Sequence, residues 1–465
     1  MEERNTETKE DHHHMYGLNM LTTAFSAHGF DLYPVGGCVR DILMFGTPKG
    51  DIDLTTNATP DQTKQVLADA GLPVLPLGEA FGMIATILDD LGQVEITTFR
   101  ADTYRENDRH PVVTYSKTLE DDLKRRDFTI NAIALADDGY VDPFGGRDDI
   151  RRKLLRTPQD AEQTMRDDPL RILRAFRFRS RFGFAFDNSL MRAIVETAPA
   201  LTHISFERIL MEMDKILVGE HVTTVLQDMV DLGVLQIVLP EMVAVLCLTG
   251  VSQGKYHSKD IWKHTLGVIR QTPADPDLRW AALLHDIGKP NTRTEADGDV
   301  HFFGHEHVGA QIAQNILKRL RFSTARRQRI TFLVTNHMRL AMYQTGWKKS
   351  AVRRVVTFAG EYLDDLIALS RADITSARPD KVAWRLDQLQ QFADRAKAVM
   401  TETPPERLIG KETMKELIDL MQLSGHEIGK MKTALEDAIT DGSLPKDPSV
   451  DEALAFLAKQ KPQGE

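Results

Sequence analysis

Cysteine is almost missing from this chain. Of 465 residues only Cys38 and Cys247 are cysteines, which excludes a disulfide framework and a cysteine-built zinc cluster, so each domain must be held by its own apolar core. Long apolar runs are missing too. The run Val243 to Leu248 is the size of a core segment, and no window of about 18 residues is free of charge or proline, so nothing reads as a membrane-spanning helix. The acidic start, Met1 to Asp11, lacks the basic and apolar regions of a signal peptide, and a cytoplasmic location is expected. His12-His13-His14 reads as part of a polar tail and not as a metal site. Internal repeats and low-complexity tracts are absent, and 42% hydrophobic with 27% charged residues excludes a disordered chain. The length exceeds what one core supports and implies about three or four domains. Positive charge is in deficit overall, at a net of -10, but Arg151 to Arg181 holds ten Arg or Lys against four Asp or Glu. That local excess marks where a phosphate backbone would lie.

The residues that carry chemistry concentrate in short segments. Phe30 to Val35 reads as a strand, Gly36-Gly37 as a turn that lets the backbone approach an anion, and Cys38 to Phe45 as a helix with Arg40 in its first turn. The N-terminal amides of such a helix face phosphates. Gly50 then precedes a strand from Asp51 to Thr55, in which side chains two apart share a face, so Asp51 and Asp53 can hold divalent ions side by side. Such a pair activates an attacking hydroxyl and neutralises a leaving pyrophosphate. Either piece alone is common in turns and solvated loops; together they point to a nucleoside triphosphate and its metals. Thr59-Pro60 starts a helix through Ala70, Met83 to Leu88 and Gln93 to Arg100 read as strands, and Glu95 is a candidate third carboxylate. From about Asp148 the pattern is helical, with boundaries suggested at Pro240, at Thr249 to Lys255 and at Thr401 to Pro405.

Two further segments are basic. In Leu123-Lys124-Arg125-Arg126-Asp127-Phe128, Arg126 is placed to reach a triphosphate, against the plainer reading of an exposed arginine pair beside a cap at Asp127. Asp167-Asp168-Pro169-Leu170-Arg171 opens a helix that carries Arg174 and Arg177 on the same face as Arg171. A carboxylate beside a guanidinium offers the acceptors and donors needed to read the Watson-Crick edge of C or A. The plainer reading is a capping Asp168 with Arg171 as its ion-pair partner.

GGCVRD with GDIDLTT, RRDFTINA and DDPLRILRAFRF, in that order over roughly residues 30 to 240, resemble the motifs of the class II tRNA nucleotidyltransferases, the CCA-adding enzymes and their poly(A) polymerase relatives. The resemblance implies that Asp51 and Asp53 bind catalytic Mg²⁺, and that Gly37, Arg40 and Arg126 bind the incoming triphosphate. It also implies that Asp168 and Arg171, with Arg174 and Arg177 nearby, select CTP and then ATP. The family usually begins its template motif with Glu-Asp where this chain has Asp167-Asp168. Arg100 to His110, with Asp102, Tyr104, Asp108 and Arg109, resembles the loop that complete CCA-adding enzymes use to switch from C to A, although A-only enzymes keep it too.

His264, His285-Asp286-Ile287-Gly288-Lys289, His305-Glu306-His307, His337 and Asp373 place metal-ligand types at intervals through helical segments. The ordered set resembles the HD phosphohydrolase superfamily over residues 255 to 376. By that resemblance His264, His285, Asp286 and Asp373 are the core ligands and His305 and His337 additional ones, for Mn²⁺, Ni²⁺, Fe²⁺ or Mg²⁺. The expected fold is α+β: a polymerase-beta-like nucleotidyltransferase head over residues 16–147 after a disordered tail over 1–15, then all-α neck (148–240), HD (241–380) and tail (381–465) domains. The expected activity is addition or repair of the CCA end of tRNA from CTP and ATP, with HD phosphohydrolase activity beside it. A-adding, CC-adding or poly(A)-polymerase activity, or an RNA-binding HD hydrolase with an inactive head, are the alternatives.

Overall fold

The computed structural model describes residues 16–105, 108–248, 260–296, 299–343, 345–375, 378–401 and 408–460, without the side chains of 80, 101–113, 426 and 460. The expected tail over 1–15 with its histidines, the Thr249 to Lys255 boundary and the side chains of Asp102, Tyr104, Asp108 and Arg109 lie outside the described residues. The chain forms two compact units, Met1–Pro240 and Glu241–Glu465.

The first unit opens with α1 (Tyr16–Ala27), β1 (Leu32–Pro34), α2 (Gly37–Phe45), β2 (Ile52–Thr56), α3 (Pro60–Asp69), β3 (Met83–Leu88) and β4 (Gly92–Thr98). The strands form a mixed sheet in the order β1-β2-β4-β3, in which β2 runs parallel to β4 and the other pairs are antiparallel. Alternation decides its faces. Ile52, Leu54, Val94 and Ile96 are buried with Leu21, Phe25 and Leu67 in one core, so Asp53 and Glu95 must point to the other side. β1 is shorter than expected; Val35, just past its end, donates to Asp53 O at 2.9 Å and also bridges Ala134. α3 is started by a reciprocal cap between Thr59 and Gln62, with Pro60 at its first position. Beyond a two-stranded ribbon, β5 (Arg100–Arg105) with β6 (Asp108–Tyr115), and α4 (Leu119–Lys124), come α5 (Ala161–Asp167), α6 (Leu170–Phe182) and α7 (Phe206–Leu217). α6 buries Leu170, Ile172, Leu173, Phe176 and Phe178 and leaves Arg171, Arg174 and Arg177 half-buried on the opposite stripe.

The second unit contains α8 (Ile261–Gln271), α9 (Pro276–Leu284), α10 (His305–Arg319), α11 (Thr324–Asn336), α12 (Leu363–Asp373) and α13 (Pro379–Thr401). Between α9 and α10 lies a small antiparallel ribbon, β7 (Thr294–Ala296) with β8 (Asp299–His301), where an all-helical path was expected. Three last helices, α14 (Lys411–Met421), α15 (Gly425–Thr440) and α16 (Val450–Gln460), close around a core of their own that includes Leu417, Leu435 and Ala453. No described helix is long and apolar enough to cross a membrane.

Candidate functional site

In the first unit the chemistry assembles where β1, β2 and β4 meet the turn into α2. Asp53 lies directly beside Glu95 in the parallel β2–β4 register, and Asp51 lies just before β2. Burial raises the Asp53 pKa, opposed by Arg126, and repulsion from Glu95 and Asp51 raises it further. A half-buried carboxylate with two others beside it is a natural seat for divalent cations, which relieve that repulsion. Their donor atoms form an open set, because the tight ligand groups among the described residues are all in the second unit. An open set suits ions that also take substrate phosphates and water.

Gly36 makes the convergence possible. Its φ is +78°, and a Cβ there would stand 2.8 Å from Arg126 Nη1 and 3.8 Å from Asp53 Oδ2. Glycine thus admits a guanidinium over the turn. Arg126 is held from behind by Asp122, whose carboxylate accepts from Arg126 Nη2 at 2.9 Å and from Arg125 Nη2 at 2.5 Å. Arg126 Nε is buried without a hydrogen-bond partner, which leaves donors for an anion. Asp53, Arg100, Arg125 and Arg126 line a cavity of about 290 Å³.

Arg40 is placed differently from Arg126. Its guanidinium is buried, donates to Asp41 Oδ1 from Nε at 2.8 Å and to Asn131 Oδ1 from Nη1 at 2.6 Å, and lies 5.2 and 5.0 Å from the Phe178 and Phe182 rings of α6. It ties α2 to α6 beneath the turn. Gly37 opens α2 above it, its Cβ position 3.6 Å from Arg40 Nη2.

On α6 the arginine face is held by carboxylates from elsewhere. Arg174 donates from Nε and Nη2 to Asp127 Oδ2 at 2.8 and 2.6 Å, and Arg177 pairs with Glu212 of α7 at 3.1 Å. Burial opposes the charge on Asp127, but Arg174 and the Asn131 amide outweigh it and bring its pKa down to about 2. Asp168 caps α6 by accepting from Leu170 N at 3.2 Å, as its position suggested. Its ion-pair partner is Arg208 of α7, at 3.1 Å, and not Arg171. Arg171 donates instead to the backbone carbonyls of Arg125 at 2.8 Å and Thr164 at 3.4 Å. Asp122, Arg208 and Glu212 escaped the sequence reading. The i, i+4 placement of Asp122 before Arg126 and of Glu212 after Arg208 is a signal, but one shared by most charged helices.

In the second unit six residues from separate helix ends converge. His264 stands in α8, His285 and Asp286 at the end of α9, His305 at the start of α10, His337 at the end of α11 and Asp373 at the end of α12. Gly288 permits the close packing: a Cβ on it would meet His305 O at 2.2 Å and Gly309 N at 2.5 Å. Each imidazole is oriented through Nδ1, which bonds the carbonyls of Ala282, Phe302 and Val334 for His285, His305 and His337, and the Thr375 hydroxyl for His264. The Nε2 atoms therefore face inward. His264 and His285 approach at 3.2 Å, as do His305 and His337. Two Nε2 lone pairs at that distance need a proton or a cation between them. Asp286 belongs to both triads, His264-His285-Asp286 and Asp286-His305-His337, with Oδ2 3.2 Å from His285 and Oδ1 3.4 Å from His305. Asp286 Oδ2 is buried without a directed hydrogen bond, although Lys289 Nζ lies 2.7 Å away. Imidazoles fixed through Nδ1 around a bridging carboxylate fit a pair of divalent cations.

Charge in this cluster is redistributed accordingly. Burial would lower the His285 pKa, but Asp286 and Asp373 outweigh it and raise it to about 10, whereas burial and the charge on His285 lower His337 to about 4. His307, by contrast, is exposed and outside the cluster. A cavity of about 780 Å³ opens from His264, Asp286, His305, His337 and Asp373, with Lys289, Arg378, Lys381 and Arg385 among its walls.

The chain matches the family models of the Poly A polymerase head domain over residues 32–156, a probable RNA- and SrmB-binding site of polymerase A over 183–246, and the HD domain over 256–378. It is 38% identical over 269 residues to the CCA-adding enzyme of Geobacillus thermodenitrificans, a match that spans 57% of this chain and 61% of that one. It is 32% identical over 446 residues to the A-adding tRNA nucleotidyltransferase of Deinococcus radiodurans, spanning 91% of this chain and 94% of that one. Among solved structures, the Bacillus stearothermophilus CCA-adding enzyme in complex with CTP superposes with a TM-score of 0.64 at 25% identity over 98% of both chains. The Thermotoga maritima CCA-adding enzyme complexed with tRNA shares the fold at 19% identity, with a TM-score of 0.61 over 96% of this chain and 95% of that one. The full-length match to the Deinococcus protein, together with the head, RNA-binding and HD matches along the chain, shows that it belongs to the family of the CCA-adding and A-adding tRNA nucleotidyltransferases.

Proposed function

We propose that this chain is a CTP(ATP):tRNA nucleotidyltransferase that builds or repairs the 3′-terminal CCA of tRNA. The observation that carries the reading is the register of Asp53 beside Glu95, with Arg126 held over Gly36 at the mouth of the same cavity. Asp51, Asp53 and Glu95 would hold Mg²⁺, which when bound neutralises the triphosphate and makes the attacking hydroxyl more acidic. Arg126 and the α2 amides orient the triphosphate so that the tRNA 3′-hydroxyl meets the α-phosphorus in line. A new P–O bond forms, the α–β bridge breaks, and pyrophosphate leaves against Arg126. Asp168 and Arg171, with Arg174 and Arg177, read the base edge. The head (16–147) carries this chemistry, the neck (148–240) and the tail (381–465) hold the tRNA, and the unpaired Cys38 and Cys247 suit the cytoplasm.

The HD region (241–380) is a phosphohydrolase centre in the same reading, with His264, His285, Asp286 and Asp373 and then His305 and His337 as ligands for Mn²⁺, Ni²⁺, Fe²⁺ or Mg²⁺. Bound cations would supply an activated water there. The ligand residues fix its place, and Lys289 neutralises the bridging carboxylate.

The A-adding relative matches along nearly its whole length, so A-only addition is the reading to set against full CCA addition. Purified protein with Mg²⁺, CTP and ATP is incubated with tRNAs that end before CCA or after CC, and products are resolved at single-nucleotide length. Growth by three and by one is expected. Growth of the CC-ending tRNA alone would assign A addition, and no growth on either would overturn the transferase reading.

A further inference from the structure

The cavity of the first unit carries an aromatic ring that the triphosphate chemistry does not require. Phe81 ends the short helical turn Glu79–Phe81 that feeds β3. It is 49% exposed and lines the cavity together with Asp53, Arg100 and Arg126. A phenylalanine exposed alone on a surface calls for no ligand. This one differs in how firmly its backbone is held while its ring stays in water. Phe81 N donates to Gly78 O at 2.8 Å, Phe81 O accepts from Arg100 Nη1 at 2.6 Å, and Glu79 pairs with Lys64 of α3 at 2.7 Å. Next to the ring Gly82, with φ +81°, leaves room for Tyr115, whose Cε1 would stand 3.0 Å from a Cβ there.

The place of the turn in the sheet decides what it faces. In the order β1-β2-β4-β3, Gly36 and the start of α2 follow the β1 edge, Asp53 and Glu95 occupy the two middle strands, and Phe81 precedes the β3 edge. Thr97, two residues beyond Glu95 and so on the same face, is paired with Met83 in the β3–β4 register, and both line the cavity. The open face therefore runs from the anion turn, over the carboxylates, to Phe81. In-line displacement needs the attacking hydroxyl on the side of the α-phosphorus opposite the leaving pyrophosphate. With the pyrophosphate at the α2 turn and Arg126, the hydroxyl enters from the β3 side.

We propose that Phe81 is the stacking platform for the last base of the acceptor strand, and that this contact sets the terminal ribose over Asp53 and Glu95. Every base has a π-face, so stacking on an aromatic side chain holds a strand end without reading its sequence. A strand that grows while the metals stay in place needs a contact of that kind, because its last base changes from one addition to the next. Arg100 joins the platform to the chemistry, since it lines the cavity and holds the Phe81 carbonyl. The inference rests on the nucleotidyltransferase reading and assigns a residue to its acceptor side.

The test uses the full chain as wild type, Phe81→Ala and Phe81→Trp, with Mg²⁺ and ATP. The acceptors are a tRNA that ends in CC and the same tRNA with an abasic last nucleotide, so that one A is added whether the enzyme completes CCA or adds A alone. Phe81→Ala should lower kcat/KM for the intact acceptor by about fivefold or more, with the KM for ATP unchanged, and Phe81→Trp should restore it. Removal of the last base should cost wild type about fivefold more than it costs Phe81→Ala, because the base has already lost its partner there. Wild-type kcat/KM in Phe81→Ala, an equal cost of base removal in both proteins, or a rise in the KM for ATP in place of the acceptor effect would each overturn the inference and leave the transferase reading intact. If wild type extends neither acceptor, the transferase reading falls and the inference falls with it.

Discussion

Asp53 and Glu95 share a face through strand register, and that arrangement assigns different roles to the carboxylates. Asp53 is half-buried within the field of Arg126, so Asp53→Asn removes both a ligand charge and a charge that the guanidinium offsets, and nucleotide incorporation should fall below detection. Glu95 occupies the neighbouring position in β4. Glu95→Gln keeps its shape and loses its charge, so extension should persist at high Mg²⁺ with the half-saturating Mg²⁺ concentration raised, as a Mg²⁺ titration of incorporation rate would show. An unchanged Mg²⁺ requirement would remove Glu95 from the site. Arg208 poses a different question. It holds one oxygen of Asp168 while Leu170 N holds the other, so Arg208→Ala frees the carboxylate proposed to read the base to swing. Discrimination between CTP and UTP should drop by roughly tenfold, whereas the melting temperature should barely move, since the Arg208 side chain is 37% exposed. A large loss of stability with selectivity intact would make Arg208 a structural residue.

At the scale of elements, α6 is where sequence and structure part company most clearly. Its arginine stripe was legible, because a three-residue spacing on an amphipathic helix fixes which face the side chains share. The strand pair Asp51 and Asp53 was legible for the same reason, with a period of two. What local spacing leaves open is the partner across space: Arg174 finds Asp127 47 residues away, and Asp168 finds Arg208 40 residues away. Glu95 was only a candidate until the parallel register set it beside Asp53, and the six HD residues were identifiable by type while the bridging position of Asp286 was not. The ion pair between Asp127 and Arg174 also makes a prediction. The Asp127 pKa is depressed from 3.8 to about 2, so its contribution to stability is complete above the unfolded value and is lost as pH falls through the folded one. That shift corresponds to roughly 2 kcal/mol. Between about pH 4 and pH 2, wild type should lose that stability relative to Asp127→Asn, in which no carboxylate titrates at this position. Parallel acid-denaturation curves for the two proteins would contradict the assignment.

On the scale of the whole molecule, the two proposed chemistries occupy separate compact units, with Asp51, Asp53 and Glu95 in the first and the histidine–aspartate cluster in the second. Asp286→Asn should therefore abolish phosphate release and leave nucleotide addition unchanged, and Asp53→Asn should do the reverse. The ligand clusters also differ in how closed they are, and this predicts different responses to metal. The HD imidazoles are buried, preset through Nδ1 and bring their Nε2 atoms to 3.2 Å, so an ion there relieves repulsion that the folded unit otherwise bears. Binding at a hundredfold excess over Kd adds about 2.7 kcal/mol to the unit that holds the ion. In calorimetry of the metal-free protein, Mn²⁺ should raise the melting transition of the second unit. Mg²⁺ without nucleotide should leave the transition of the first nearly in place, because the open carboxylate set of the head lacks ligands that the triphosphate supplies. His285→Ala should cancel the Mn²⁺ shift without moving the first transition. A Mn²⁺ shift that survives His285→Ala would locate the stabilising ion outside the histidine cluster and remove the argument from its geometry.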